Sequence, residues 1–168
     1  TLEASSAASD VYKRQVDTDG RHAKVKYTTD WLKDSSRRDF TINSIYADKD
    51  GNLFDPNGGV KHLEEGRVIF IGNADKRIQE DYLRILRYIR FFINYSNHPH
   101  NSSVKKSIKQ NIAGVANLSK DRLMSELKKI ILSKNFLQLS KVSFSLEILT
   151  TIFPCLLYTS DAADDASS

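Results

Sequence analysis

The spacing of apolar positions changes part-way along the chain, and the change divides it in two. Up to about Ile71 the apolar runs are short and interrupted by turns. His22–Thr28 alternates weakly, with Val25 and Tyr27 on one side, and predicts a strand. Residues 35–45 carry Phe40, Ile42 and Ile45 after a possible cap at Ser35 or Ser36, which predicts a short helix running into a strand near Tyr46. Lys49, Asp50 and Gly51 form a hairpin tip, Leu53 and Phe54 return from it, and Asp55-Pro56-Asn57-Gly58-Gly59 stops the return strand. Val68 to Ile71 reads as one further strand.

From Asp75 the period becomes helical. One long helix is expected over 75–95, broken by Asn97-His98-Pro99-His100-Asn101. Helices over Ser102–Asn111 and 119–132 follow, the latter with Ser119 as N-cap, and one or two more are expected within 135–153. On a helical wheel Ile78, Tyr82, Ile85, Leu86, Ile89, Phe92 and Ile93 share an arc of roughly 120° that should face a core. Glu80, Arg84, Arg87 and Arg90 lie opposite, and Asp81 sits at the border beside Arg84. The plain reading of that face is a solvated one, with Glu80 and Arg84 an ordinary helix ion pair contributing ~0.3–0.5 kcal/mol. What argues otherwise is arginine at all three positions, because its rigid fork of donors suits a phosphate or a base edge.

Composition adds two constraints. No apolar run approaches a membrane span, and no stretch has the form of a secretory signal, so a soluble cytoplasmic protein is the expectation. The ends read differently from the middle. Ser5–Gln15 (SSAASDVYKRQ) and Cys155–Asp165 (CLLYTSDAADD) both translate one transposon-end sequencing adapter, read on opposite strands. Residues 1–15 and 155–168 are therefore expected to be adapter-derived, with native sequence over 16–154. Without Lys13, Arg14, Glu3, Asp10, Asp161, Asp164 and Asp165, the 25 basic and 21 acidic residues become 23 and 16, a net charge of +7. That basic balance suits a phosphate-bearing partner. The single cysteine, Cys155, falls in the adapter-like end, so no disulfide, thiolate zinc site or cysteine nucleophile is expected.

Two long motifs carry a family resemblance. Arg37-Arg38-Asp39-Phe40-Thr41-Ile42-Asn43 resembles the RRDFTxNA motif of class II tRNA nucleotidyltransferases and their bacterial poly(A) polymerase relatives. The run from Glu80 to Phe91 (EDYLRILRYIRF) is similar to their EDxLRxLRxxRF motif. Asp55-Pro56-Asn57-Gly58-Gly59 looks like the DPxxG turn between them, Ile71-Gly72 with Arg77-Ile78 like the IGxPxxRI lead-in, and Asp19-Gly20-Arg21-His22-Ala23 like an upstream strand entry.

The resemblance implies an α+β fold: the C-terminal part of a nucleotidyltransferase head domain over 16–73, then an all-helical neck, RNA-binding segment over 74–154. It implies a parent enzyme that adds nucleotides to an RNA 3′ end without a template, using Mg2+ held by an Asp-x-Asp pair. Carried over by position, Asp81 and Arg84 would read the incoming base, with Glu80 orienting Arg84. Arg87 and Arg90 would contact the nucleotide or its phosphates, Arg38 the triphosphate, and Asp39 the ribose hydroxyls. Implied partners are ATP, CTP and a tRNA or other RNA 3′ end. CCA addition is favoured over poly(A) addition, and a non-catalytic RNA-binding helical module is the reading from a different class.

The chain departs from the family pattern at the metal pair. The Gly-Gly-x-x-Arg-Asp loop and its Asp-x-Asp are missing, and Asp17-Thr18-Asp19, followed by Gly20 and lacking an apolar strand, is read as a chance match. This chain is therefore expected to be inactive alone. His98-Pro99-His100 sits in a breaker with no carboxylate nearby, and His22 and His62 read as structural. Tyr88, Phe91, Phe92 and Tyr95 are expected to pack more than to stack on RNA bases. Lys105, Lys106, Lys109, Lys120, Arg122, Lys128 and Lys129 offer a basic surface for an RNA backbone or for solvent alike.

Overall fold

A computed structural model describes residues 12–19, 22–28 and 30–154, with the backbone alone described before Asp30. The adapter-like ends lie outside these residues except for Tyr12–Gln15. Strands β1 (Tyr12–Asp19) and β2 (His22–Thr28) pair antiparallel, and their register shifts between Gln15 and Asp17.

Helix α1 (Trp31–Arg37) starts four residues before the expected Ser35. Its cap is Asp30, whose carboxylate accepts from the Lys33 amide at 3.1 Å. It stops at Arg37 because Arg38 turns extended (φ −65°, ψ 158°) to begin a bridge to the segment near Phe70. Strands β3 (Tyr46–Ala47) and β4 (Leu53–Phe54) form the expected hairpin around the Asp48–Gly51 turn. Trp31 stacks on Tyr46 with ring centroids 5.6 Å apart and covers Phe54.

A helix that periodicity did not suggest follows, α2 (Gly59–Glu64). The turn residue Asp55 nucleates it, its carboxylate accepting from the amides of Gly59 at 2.7 Å and Val60 at 2.9 Å. The strand expected over 68–71 reduces to one bridge, Phe40 opposite Phe70, with Thr41 N–H donating to Ile69 O and Ile71 N–H to Asp39 O, both at 3.0 Å.

The long helix expected over 75–95 is two helices. α3 (Ala74–Glu80) ends at Asp81, which is extended (φ −158°, ψ 105°), and α4 (Arg84–Tyr95) begins after a turn. Asp81 causes the break by bonding its own neighbourhood: its Oδ1 accepts from the Leu83 amide at 3.1 Å, and its carbonyl from the Arg84 amide at 3.0 Å. Helices α5 (Ser102–Asn111), α6 (Lys120–Ile131) and α7 (Ser143–Ile152) follow, with short 3-10 turns over Ile112–Asn117 and Phe136–Lys141; α5 packs on α3, α6 on α4, and α7 on the two 3-10 turns.

One apolar core joins the two halves. Ile78, Ile85, Leu86, Ile89, Ile108, Ile130 and Leu149 are fully buried in it, and Phe40 enters from the first half to meet Phe70, Phe91 and Tyr88 at ring distances of 4.8, 5.0 and 6.2 Å. Tyr88 and Phe91 are buried although the wheel set them away from the apolar arc, so α4 is covered on more than one side. Tyr95 is exposed. His100 leaves its loop to stack on Phe92 at 3.5 Å, with its ring nitrogens against the Tyr88 hydroxyl and Ser145 Oγ. Burial, with Lys105 nearby, lowers its pKa to about 4, so the ring is neutral at pH 7.

Gly59 sits where α2 crosses residues 41–45. A Cβ there would lie 2.2 Å from the Thr41 carbonyl oxygen and 2.8 Å from Ile45 Cγ1. Gly59→Ala is expected to destabilise the chain by about 1–3 kcal/mol, the cost of overpacking against backbone. Urea denaturation beside Lys61→Ala, an exposed position on the same helix, measures it; equal midpoints for the two variants would rule the contact out.

Candidate nucleotide-binding site

The loop after α1 and the break before α4 face each other across a pocket of about 270 Å3. Arg38, Asp39, Asp81, Arg84 and Arg87 line it together, joined by Arg37, Asn43, Leu83 and Arg122. Five of the seven residues singled out in the sequence thus converge. Glu80 and Arg90 do not line the pocket; each holds a neighbour.

Asp39 is 5% exposed and serves as an anchor. Its Oδ1 accepts from Asn43 Nδ2 at 2.9 Å and from the Phe40 amide, and its Oδ2 pairs with Arg87 Nε. Burial alone would raise this carboxyl, but the Arg87 guanidinium and Asn43 outweigh it and hold the group below the usual carboxylate range. Arg38 turns the other way. Its Nε donates to the fully buried Asp34 at 2.9 Å, and Tyr46 OH donates to the same Asp34 oxygen at 2.8 Å. Burial and this bond to Asp34 raise the Tyr46 hydroxyl pKa to about 12.

Asp81 and Arg84 both line the pocket, but their bonds run to other partners. Asp81 Oδ2 accepts from Arg122 Nη2 at 2.8 Å, across from α6. Arg84 Nη1 donates to Glu80 Oε2 and to the Arg77 carbonyl, both at 2.6 Å. The helix break produces this geometry. In a continuous helix Asp81 would sit one turn from Arg84 on the same surface; the extended Asp81 backbone frees its carboxylate to meet α6. Arg90 pairs instead with Glu126, which is 1% exposed, at 2.5 Å, and Lys129 completes that cluster at 3.1 Å. Burial would raise Glu126, yet Arg90 and Lys129 together lower it. The arginine face of α4 is therefore engaged with carboxylates rather than solvated.

Sequence reasoning missed Arg122 and Glu126 as parts of this arrangement and counted Arg122 only as surface charge. Their spacing of four on α6 was the available signal, since it sets both on one face. Among the described residues no three His, Cys, Asp or Glu side chains are grouped to hold a metal ion. Asp17 and Asp19 belong to β1, of which the backbone alone is described. His62 bonds Thr41 Oγ1 at 3.0 Å, and His98 bonds the Glu65 carbonyl at 2.9 Å.

Residues 6–69 match the family described as the poly A polymerase head domain, and residues 101–158 match the probable RNA and SrmB-binding site of polymerase A. The human mitochondrial CCA tRNA nucleotidyltransferase 1 is 45% identical over 135 residues, 79% of this chain and 31% of that protein.

The chain belongs to the CCA-adding enzyme and poly(A) polymerase family.

The mouse mitochondrial CCA tRNA nucleotidyltransferase 1 is 50% identical over 118 residues, 69% of this chain and 27% of that protein. The crystal structure of the Bacillus stearothermophilus CCA-adding enzyme in complex with CTP shares the fold with a TM-score of 0.63 at 29% identity, covering 84% of this chain and 32% of that one. The chain thus spans under a third of the length of these relatives. The α+β architecture, with a head portion leading into a helical neck, is that of the family. No helix among the described residues is long and apolar enough to cross a membrane.

The carboxyls of Asp34, Asp39 and Glu126 all sit below their ordinary values. A carboxyl depressed on folding contributes stability that is fully present above its unfolded pKa, about 3.9 for Asp and 4.3 for Glu, and lost as pH falls through the lower folded value. The urea midpoint is expected to hold from pH 7 to 5 and to fall steeply below about pH 4. Glu126→Gln should cost about 2–3 kcal/mol at pH 7, in the range for a hydrogen bond to a charged group, and should make the acid fall shallower. Circular dichroism against urea at a series of pH values checks both; parallel curves for wild type and variant would remove Glu126 from the account.

Proposed function

We propose that this chain is the base-reading portion of a template-independent RNA nucleotidyltransferase that adds CCA to tRNA 3′ ends from CTP and ATP. The observation that supports it is the pocket that a carboxylate acceptor, Asp81, and a guanidinium donor, Arg84, line together with Arg38, Asp39 and Arg87. Cytosine presents an exocyclic amino donor beside a ring-nitrogen acceptor, and adenine does the same with its amino group and N1. A carboxylate that accepts and an arginine that donates complement both. Uracil and guanine present a carbonyl beside a ring N–H, the reverse pattern, and would set a carbonyl against the carboxylate and an N–H against the guanidinium. Mismatched buried polar groups are what make hydrogen-bond selection strong.

In this reading Glu80 orients Arg84, holding one guanidinium nitrogen and leaving the remaining donors to the base. Arg87, fixed by Asp39, supplies positive charge near the sugar and phosphates, and Arg38 adds to that field. Arg90 acts one step back, tying α6 to α4 through Glu126. The parent's chemistry uses a divalent metal, Mg2+, held by residues that this chain lacks. Residues 1–15 and 155–168 are adapter sequence in this reading, and amplification across both ends from the source DNA would replace them with native codons. The parent's site of action is read as cytoplasmic. Because the human and mouse relatives are mitochondrial by name, imaging of the tagged full-length parent decides the compartment.

The deciding experiment uses the full-length parent gene with labelled CTP, then ATP, on tRNA lacking its 3′ end. Sequential C, C and A incorporation is expected. Extension of any RNA with ATP alone would point to poly(A) addition instead, and no transfer at all to an RNA-binding module. Arg84→Ala in that parent is expected to lower CTP and ATP incorporation by at least a hundredfold, as for a site that loses a hydrogen bond used in selection. Unchanged nucleotide preference would sink the assignment. The purified 168-residue chain is expected to show no metal-dependent transfer.

A further inference from the structure

Arg77 stands outside the pocket yet bonds to the backbone of residues that line it. It lies in α3, one turn before the break, with its side chain 13% exposed. Its Nη1 donates to Glu80 Oε2 at 2.6 Å. Its Nη2 donates to the carbonyl of Arg37 at 2.7 Å and also to the carbonyl of Arg38. These carbonyls lie some forty residues earlier in the chain, at the end of α1, where the backbone leaves the helix to present Arg38 and Asp39. The Arg77 carbonyl in turn accepts from Arg84 Nη1 at 2.6 Å, and the Glu80 oxygen that Arg77 holds is the one that holds Arg84.

One residue therefore touches both sides of the pocket without facing it. Through two carbonyls it fixes the loop that carries Arg38 and Asp39. Through its own carbonyl and a shared carboxylate it fixes the guanidinium of Arg84. We infer that Arg77 is a positioning residue that sets the distance and register between the sugar-phosphate side of the pocket and the base-reading side. This rests on the base-reading role proposed above for Asp81 and Arg84.

The chemistry requires arginine at this position. Two carbonyls and one carboxylate lie in different directions, and a planar fork with donors on separate nitrogens reaches all three. A lysine ammonium is a single point at the end of a flexible stem and cannot span them. Burial and the neighbouring Arg84 charge both disfavour a cation here, lowering the Arg77 pKa, so the position is kept by its bonds and not by solvent. The resulting lattice is asymmetric. Loss of the Arg77 fork frees the 37–38 backbone and leaves Glu80 to Arg84 alone, so the two halves of the pocket could slide relative to each other while each kept its own fold.

The test is titration of the 168-residue chain with CTP, ATP, UTP and GTP, followed by calorimetry and by the amide resonances of Arg38, Asp39 and Arg84. The wild-type chain is expected to bind CTP and ATP more tightly than UTP and GTP. Arg77→Lys should keep the far-UV spectrum, weaken CTP binding at least tenfold, and narrow the ratio of CTP to UTP affinity toward one. Lys76→Met, exposed on the same helix, should change neither. A merely structural role would weaken all four nucleotides together and leave that ratio intact, and this result overturns the inference. Retained affinity and ratio in Arg77→Lys overturn it as well, with the base-reading proposal still standing. A wild-type chain that binds nucleotides without preference removes the base-reading proposal itself, and the positioning role with it. Should Arg77→Lys fail to fold, Arg77→Gln in the same titration carries the same expected and overturning results.

Discussion

The pocket depends on where Phe40 is buried. Its ring fills the space between Phe70, Phe91 and Tyr88, and it is fully shielded from water. Burying such a ring contributes about 1.5–3 kcal/mol, and each well-placed aromatic pair adds about 0.5–1.5 kcal/mol. The backbone bridge at Phe70 fixes the same residue from the other side. Asp39 precedes it by one position, so the depth to which Phe40 sinks decides where the Asp39 carboxylate meets Arg87. A hydrophobic contact between the two halves of the chain thus sets the geometry of a polar one.

Around that anchor each arginine is held by a carboxylate, and Glu80 and Asp34 each hold two. Arg87 belongs to Asp39, Arg84 to Glu80, Arg90 to Glu126 and Arg122 to Asp81. In a crowded basic region this arrangement prevents like charges from scattering the side chains, and it holds each guanidinium in a defined orientation before any ligand arrives. Preorganised donors act without reorganisation when a ligand binds, and this is where most electrostatic selectivity comes from. The pairs are not equivalent. Glu126 and Asp39 are buried and their bonds are structural, whereas the Asp81–Arg122 pair is partly exposed.

The α+β division, the hairpin at β3 and β4, and the apolar side of α4 were legible in the sequence because each follows from local period or turn chemistry. Convergence of Arg38, Asp39, Asp81, Arg84 and Arg87 followed from the motif resemblance and not from spacing, since residues 38 and 87 are brought together only by the core. Two elements escaped. The break at Asp81 was hidden because the apolar period runs straight through it; only the tendency of Asp to bond its own backbone hinted at it. Helix α2 was hidden because Asp55 caps it from within a segment that otherwise reads as a turn. The packing expected of Tyr88, Phe91 and Phe92 is found, whereas Tyr95, at the last turn of α4, is exposed.

The break also explains why the site belongs to neither half alone. The two matched family segments end at residue 69 and resume at residue 101, and the residues between them hold α3, the break and α4. Asp81 and Arg84 lie in that interval, Arg38 and Asp39 come from the head portion, and Arg122 comes from the helical portion. A division of the chain at residue 73 or 74 would pass beside the pocket without enclosing it. Besides the core and the Asp39–Arg87 pair, the pieces are joined by the carbonyl bonds from Arg77 backward and the Asp81–Arg122 pair forward. An extended residue at that point lets one short segment bond to both neighbours, which a continuous helix, with its carboxylate committed to its own surface, could not do.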